Sequence, residues 1–194
     1  MTRIATIQRT TKETDISCTL DLDGTGEVTV STGIGFFDHM LTSFAYHGMF
    51  DLTLDCSGDL DIDEHHSIED SALVLGQAVA DALGDRAGIV RYGDASVPMD
   101  EASATALIDV GGRPYSVIDI PLRGLRMGTM STQMVPHALE AFARTAGATL
   151  HITAQGTNDH HITEAAFKAF GRALRTAVAI DPRRKGVPST KGTT

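Results

Sequence analysis

The sequence has 194 residues, 42% of them hydrophobic and 21% charged, with a formal net charge of −9. That balance is the one of a soluble globular protein with a real core, long enough for one ordinary domain or two small fused units. The acid excess excludes nucleic acid or an anionic membrane as the main partner, since both need a basic footprint, whereas a small anionic substrate needs only a few local cations.

The first residues, MTRIATIQRTTKETD, contain no apolar targeting stretch, and no run approaches the length of a membrane span, so a cytoplasmic protein is expected. Glu13 precedes a β-like run that ends in Leu20-Asp21-Leu22, and Gly24 follows eleven residues after that Glu. Cys18 and Cys56 fit no CxxC pattern and are expected to be free core thiols. Phe37-Asp38-His39-Met40-Leu41 opens a helix with apolar spacing Met40, Phe44, His47, which Gly48 should stop. Phe50, Leu52 and Leu54 then alternate as a strand, a polar loop follows, and His65-His66-Ser67-Ile68-Glu69 heads a second helix with Ile68, Ala72, Leu75 and Val79 on its apolar face.

The series then runs again. Glu101 precedes a run ending in Ile108-Asp109-Val110, with Gly112 eleven residues on. Pro136-His137-Ala138-Leu139 opens a helix, with proline in its first turn. Phe142 lies five residues after His137, as Phe44 does after His39; Gly147 should end the helix, and Leu150 and Ile152 alternate. His160-His161-Ile162-Thr163-Glu164 heads the last helix, striped by Phe167, Phe170 and Leu174; the step from lone His to His pair is 26 residues in the first copy and 23 in the second. The pattern predicts an α/β (α+β) fold built as an internally duplicated unit. A first half-repeat over 1–92 and a second over 93–194, ending in a tail, form one compact domain. Each half is a small antiparallel or mixed sheet with helices packed on one face.

Residues three and four apart share a helix face, so Glu69 lies beside His65 and His66, and Glu164 beside His160 and His161. Adjacent histidines point about 100° apart at 3.6 residues per turn, which suits two neighbouring ions better than one. His39, His65, His66, His137, His160 and His161, with Glu69 and Glu164, offer three nitrogens and one oxygen to each of two metals. Without thiolate, that set suits Mn, Fe, Co, Ni or Zn and disfavours a closed structural zinc site. His47 and His151 lie outside the motifs and are expected to be ordinary structural residues, and the basic run Arg183-Arg184-Lys185 is left unassigned.

Five segments in order resemble the imidazoleglycerol-phosphate dehydratase family along nearly the whole chain. They are Gly35-Phe36-Phe37-Asp38-His39-Met40-Leu41, Asp63-Glu64-His65-His66-Ser67-Ile68-Glu69-Asp70, Pro98-Met99-Asp100-Glu101-Ala102, Asn158-Asp159-His160-His161-Ile162-Thr163-Glu164-Ala165 and Gly186-Val187-Pro188-Ser189-Thr190-Lys191-Gly192. Ser67-Ile68 stands where the family often has Thr-Val, a change that leaves the ligands untouched. The resemblance implies dehydration of imidazole glycerol phosphate to imidazole acetol phosphate in histidine biosynthesis. It also implies two Mn2+ ions per active site and a homo-oligomeric shell of twenty-four subunits with sites formed between them.

Its chemistry has a physical rationale. No carbonyl acidifies the C–H to be broken, so the imidazole ring must supply the electrons, and metals on its nitrogens favour the imidazolate that expels the hydroxyl. By the same resemblance Glu13 is the base and a substrate contact, and Arg91, Arg113, Lys168, Ser189 and Lys191 bind the phosphorylated substrate. Lys168 has separate support, lying four residues after Glu164 on the same helix face. The tail 186–192 reads from composition as a flexible end. On the residues alone two other readings stay open: a dinuclear metal phosphoesterase, and a metal-binding shell protein without catalysis.

Overall fold

The computed structural model describes residues 2–192. The first half contains β1 (Ile4–Thr10), β2 (Thr14–Asp21), β3 (Val28–Ser31), helix α1 (Gly35–Gly48), β4 (Asp51–Gly58) and helix α2 (His65–Leu83). The second contains β5 (Tyr92–Met99), β6 (Ala102–Asp109), β7 (Tyr115–Asp119), a two-residue ribbon of β8 (Arg126–Met127) and β9 (Met130–Ser131), helix α3 (Met134–Ala146), β10 (Thr149–Gln155) and helix α4 (Asp159–Val178). The sheets have the orders β1-β2-β4-β3 and β5-β6-β10-β7. In each, three strands are antiparallel and the last, β3 or β7, is parallel to its neighbour. The α+β fold with a duplicated unit is therefore present, its sheets being mixed.

Strand alternation sets which face is covered. Ile16, Cys18 and Leu20 of β2 and Leu52 and Leu54 of β4 point inward, as do Ala104, Ala106 and Ile108 of β6 and Leu150 and Ile152 of β10. Helix α2 covers the first sheet and α4 the second, while α1 packs on α4 and α3 on α2, so each half's first helix meets the other half's second. Phe44, Phe142 and Phe170 meet where the four helices converge, with centroids 4.6, 4.8 and 6.2 Å apart. Both cysteines are buried free thiols, and burial pushes the Cys18 thiol up to about 12. No helix among the described residues is long and apolar enough to cross a membrane.

The helices cross at paired glycines. Gly76 of α2 and Gly171 of α4 each stand eleven residues after the first His of their own HHxxE motif. A Cβ at Gly171 would lie 2.1 Å from the Phe44 carbonyl oxygen of α1, and one at Gly76 would lie 2.5 Å from the Phe142 carbonyl oxygen of α3. Gly147 ends α3 in the left-handed conformation (φ 60°), as its place in the sequence suggests. Helix α1 ends differently: Gly48 remains helical and Met49 takes the left-handed position (φ 59°). Gly48 is needed for another reason, since its Cβ would lie 2.4 Å from the Phe50 ring.

Candidate active site

In both HHxxE helices a side chain two residues before the first His accepts from that residue's backbone N: Asp63 Oδ1 from His65 N at 2.7 Å, and Asn158 Oδ1, the N-cap of α4, from His160 N at 2.9 Å. The adjacent acids, Glu64 and Asp159, reach to the segment 120–133 that leads into α3. Glu64 accepts from Ser131 N (2.8 Å) and Arg126 Nη2 (3.0 Å); Asp159 accepts from Arg123 N (3.1 Å) and Gly124 N (2.6 Å). That segment has fourteen residues where the first half has three (32–34), so the second half carries an insertion tied to both motifs.

Because α1 packs on α4 and α3 on α2, the histidines gather across the halves. His39 joins His160 and Glu164, and His137 joins His65 and Glu69; within each group the candidate ligand atoms lie within 4.8 Å of one another. Glu164 Oε2 stands 3.0 Å from His39 Nε2 and 3.1 Å from His160 Nε2, and its Oε1 accepts from Lys168 Nζ at 2.8 Å. Burial pushes the Glu164 carboxyl up, but hydrogen bonds from Lys168 and His39 outweigh it and leave it at about 2. In the other group Glu69 Oε2 is 3.7 Å from His65 Nε2, and Glu69 Oε1 is 3.6 Å from His137 Nε2 while accepting from Arg144 Nη2 at 2.9 Å. His137 Nε2 is buried without a hydrogen-bond partner among the described residues, which a structure normally avoids. A divalent ion among three such donors would satisfy it, and the nitrogen and carboxylate set fits Mn, Fe, Co, Ni or Zn.

His66 and His161 lie outside both groups. His66 Nδ1 faces Asp59 Oδ2 at 3.0 Å, with Glu13 Oε1 3.7 Å from its Nε2; His161 Nδ1 faces Glu101 Oε2 at 2.8 Å. Donating hydrogen bonds to the Asp59 and Glu101 carboxylates raises the two imidazole pKa values above the ordinary histidine value. Each group in one chain thus has two nitrogens and one carboxylate. Glu13 sits on the turn between β1 and β2 with its backbone N held by Thr11 Oγ1 at 3.0 Å and its side chain half exposed.

The cations expected to bind phosphate separate into two places. Arg91, Arg113, Ser189 and Lys191 line one cavity of about 420 Å³, together with Tyr92, Gly111 and Thr190. Arg91 adopts a left-handed backbone (φ 79°), uncommon for a residue with a side chain. Its guanidinium holds Asp109 through Nε (2.7 Å) and Nη2 (3.0 Å) and donates from Nη1 to the Pro188 carbonyl at 2.8 Å. Gly111 makes room for that fork, since a Cβ there would lie 2.5 Å from Arg91 Nη2. The tail is thereby fastened where composition suggests a free end. Lys168 is not among the residues lining this cavity; it stands at the His39 group. His47 closes the last turn of α1, and His151 is exposed on β10.

Sequence reasoning missed Asp59, Arg144, the paired glycines and the roles of Glu64, Glu101 and Asp159. The equal eleven-residue offset of Gly76 and Gly171 is a signal the sequence did carry.

This chain is similar to known proteins of one family. A family model described as imidazoleglycerol-phosphate dehydratase matches residues 32–174. Curated proteins of that name from Methylorubrum extorquens and Methanococcoides burtonii are 53% and 55% identical over 192 and 190 residues, with 98% of both chains covered in each case. Two solved structures of that dehydratase are similar in fold. The one from Staphylococcus aureus has a TM-score of 0.81 and 35% identity, covering 92% of this chain and 99% of that one. The one from Pyrococcus furiosus, solved in complex with (S)-C348, has a TM-score of 0.82 and 34% identity, covering 97% and 100%.

Proposed function

This chain belongs to the imidazoleglycerol-phosphate dehydratase family and carries out that dehydration, a hydro-lyase step of histidine biosynthesis; from that premise we propose how its residues divide the work. His39, His160 and Glu164 hold one divalent ion and His65, Glu69 and His137 another, which makes two per chain. His66 and His161 of neighbouring copies complete the ligand sets within a homo-oligomer, a shell of twenty-four expected from the resemblance. The ions are manganese and the setting is cytoplasmic. The halves 1–92 and 93–194 are two copies of one ancestral unit.

Bound metal supplies acidity to an imidazole N–H, as it does to bound water. The chain's residues do the rest. The cavity formed by Arg91, Arg113, Ser189 and Lys191 binds the phosphate, with Arg91 held in place by Asp109 and Pro188 and supplying positive charge to the anion. Lys168 meets the substrate beside Glu164. Glu13 takes the proton from the C–H next to the leaving hydroxyl. The carrying observation is that the two His/His/Glu groups and the phosphate cavity are built from different residues. A phosphoesterase has to hold phosphorus against its metals, whereas here the imidazole and phosphate ends of one substrate are received separately.

Purified protein is expected to carry two manganese ions per chain by plasma mass spectrometry and to form a ketone from imidazole glycerol phosphate without releasing phosphate. Phosphate release, or a metal-loaded protein with no turnover, would overturn the reading. Chelation is expected to shift the particle to a smaller species in light scattering, since the ligand sets bridge copies; an unchanged size would show that the shell closes without metal.

The tail gives a further expected result. The double variant Ser189→Ala/Lys191→Ala keeps the Pro188 carbonyl bound by Arg91 and removes the hydroxyl and the ammonium. Its metal content should be unchanged and its kcat/KM lower by roughly ten-fold or more, the effect of one or two charge-assisted hydrogen bonds of about 1.5–3 kcal/mol. Unchanged kinetics would remove both residues from the phosphate site.

A further inference from the structure

Glu13 and Glu101 occupy the same place in the two halves, each the last turn residue before the second strand of the opening hairpin, β2 at Thr14 and β6 at Ala102. Their side chains have diverged. No hydrogen bond holds the Glu13 carboxylate among the described residues, and its approach to His66 Nε2 is 3.7 Å. The Glu101 carboxylate is held at both oxygens: Oε1 accepts from Thr157 N (3.2 Å) and Asn158 N (2.8 Å), and Oε2 faces His161 Nδ1 at 2.8 Å. His66 has the matching arrangement with a different acid, its Nδ1 standing 3.0 and 3.2 Å from the two oxygens of Asp59.

An ionised carboxylate can only accept, so each of these bonds requires the proton on Nδ1, and the neutral ring then carries its lone pair on Nε2. The outer nitrogens have no hydrogen-bonding acid: the nearest is Asp100 at 3.9 Å from His161 Nε2 and Glu13 at 3.7 Å from His66 Nε2. Both rings are therefore fixed in direction, and in tautomer when neutral, with Nε2 turned outward as the atom free to take a metal.

We propose that Glu101 and Asp59 are positioning residues that present His161 and His66 to metal through Nε2, Glu101 being the duplicate of the Glu13 position given over to this task. The inference rests on the reading of His66 and His161 as metal ligands. A carboxylate behind a ligating imidazole fixes its orientation and raises its basicity, and losing one typically costs 10–100-fold in metal affinity. The Thr157 and Asn158 amides matter as much as the ring contact, because they stop the Glu101 carboxylate from turning with the imidazole.

The test is Glu101→Gln in the full chain. Three donors converge on the two oxygens of Glu101, so an amide must face one of them donor to donor whichever way it turns. If it faces His161, the ring turns away or moves its proton to Nε2, the atom needed for metal. Titrating Mn2+ into metal-free protein and reading free Mn2+ by electron paramagnetic resonance should show affinity lowered at least ten-fold. Turnover at saturating Mn2+ should recover most of its wild-type value, because the ligand itself is still present. Asp59→Ala should behave alike; among the described residues the Asp59 carboxylate bonds only His66, so nothing else is disturbed. Wild-type affinity in both variants, with His161→Ala impaired, would overturn the proposal and leave the ligand reading intact. Wild-type affinity in His161→Ala would overturn the ligand reading beneath it. A weaker affinity in both variants matched by an equal loss of thermal stability in the metal-free protein would assign these acids to folding and also overturn the proposal.

Discussion

Glu13→Gln is expected to lower kcat by roughly 10²–10⁴-fold, the usual contribution of a positioned general base, while metal content and KM stay near their wild-type values. The structure separates the two parts of this residue. Its backbone is built into the fold, with N bound to Thr11 Oγ1 and the carbonyl accepting from Asp59 N at 3.0 Å, whereas its carboxylate is half exposed and makes no hydrogen bond among the described residues. Glutamine keeps the shape and the backbone contacts and removes only the ability to take a proton, so the loss should fall on the chemical step. Stopped assays at saturating substrate, with metal measured on the same sample, check this. Near-normal kcat would mean that another group takes the proton.

The second large effect is structural and acts far from any ligand. Gly171→Ala places a Cβ 2.1 Å from the Phe44 carbonyl oxygen and 3.2 Å from Gly48 N, both backbone atoms that cannot rotate aside. Helices α1 and α4 must separate. Overpacking of this kind costs about 1–3 kcal/mol or more, against about 1 kcal/mol of helix propensity gained by alanine. A net loss of about 1–2 kcal/mol corresponds to a fall of roughly 2–8 °C in Tm for a chain of this size. The same separation draws His39 away from Glu164, so one of the two expected ions should bind more weakly. Gly76→Ala should do likewise at the other group, where the Cβ would lie 2.2 Å from Thr145 Oγ1 and 2.5 Å from the Phe142 carbonyl oxygen. Gly35→Ala is the control, since a Cβ there meets nothing within 4 Å. An undiminished Tm in Gly171→Ala would show that α1 can slide on α4 without cost.

The helices, the central strands and the duplication were legible because each leaves a local periodic trace, such as Ile68, Ala72, Leu75 and Val79 on α2 or Leu52 and Leu54 on β4. Histidine and glutamate at fixed helical spacing announced their chemistry in the same way. The exchange of lone histidines between halves was not legible: His39 and Glu164 are 125 residues apart, and helical periodicity carries no information about which helix lies alongside. The edge strands β3 and β7 are short, and their alternation runs only between half-buried and exposed positions, too weak a contrast to mark them. Asp59 and Glu101 look in sequence like solvated loop acids, and only the approach of α2 and α4 gives them histidines. The tail was misleading in composition because its anchor, Arg91, is supplied from 97 residues away.

The exchange between halves also bears on how the protein is made and how it lasts. The His39 group draws two of its three members from α4, the last helix of the described chain, so it cannot exist until that helix has docked on α1. Contacts of such long sequence separation form late, after the loop-closure entropy has been met, and they do little to speed folding. An interaction absent from the transition state instead slows the return journey, because it must be broken before unfolding can begin. With the ions held as proposed, loading can follow only on completed folding. Its main effect would be on lifetime: a metal-bound chain should unfold far more slowly than a metal-free one, while the two refold at nearly the same rate.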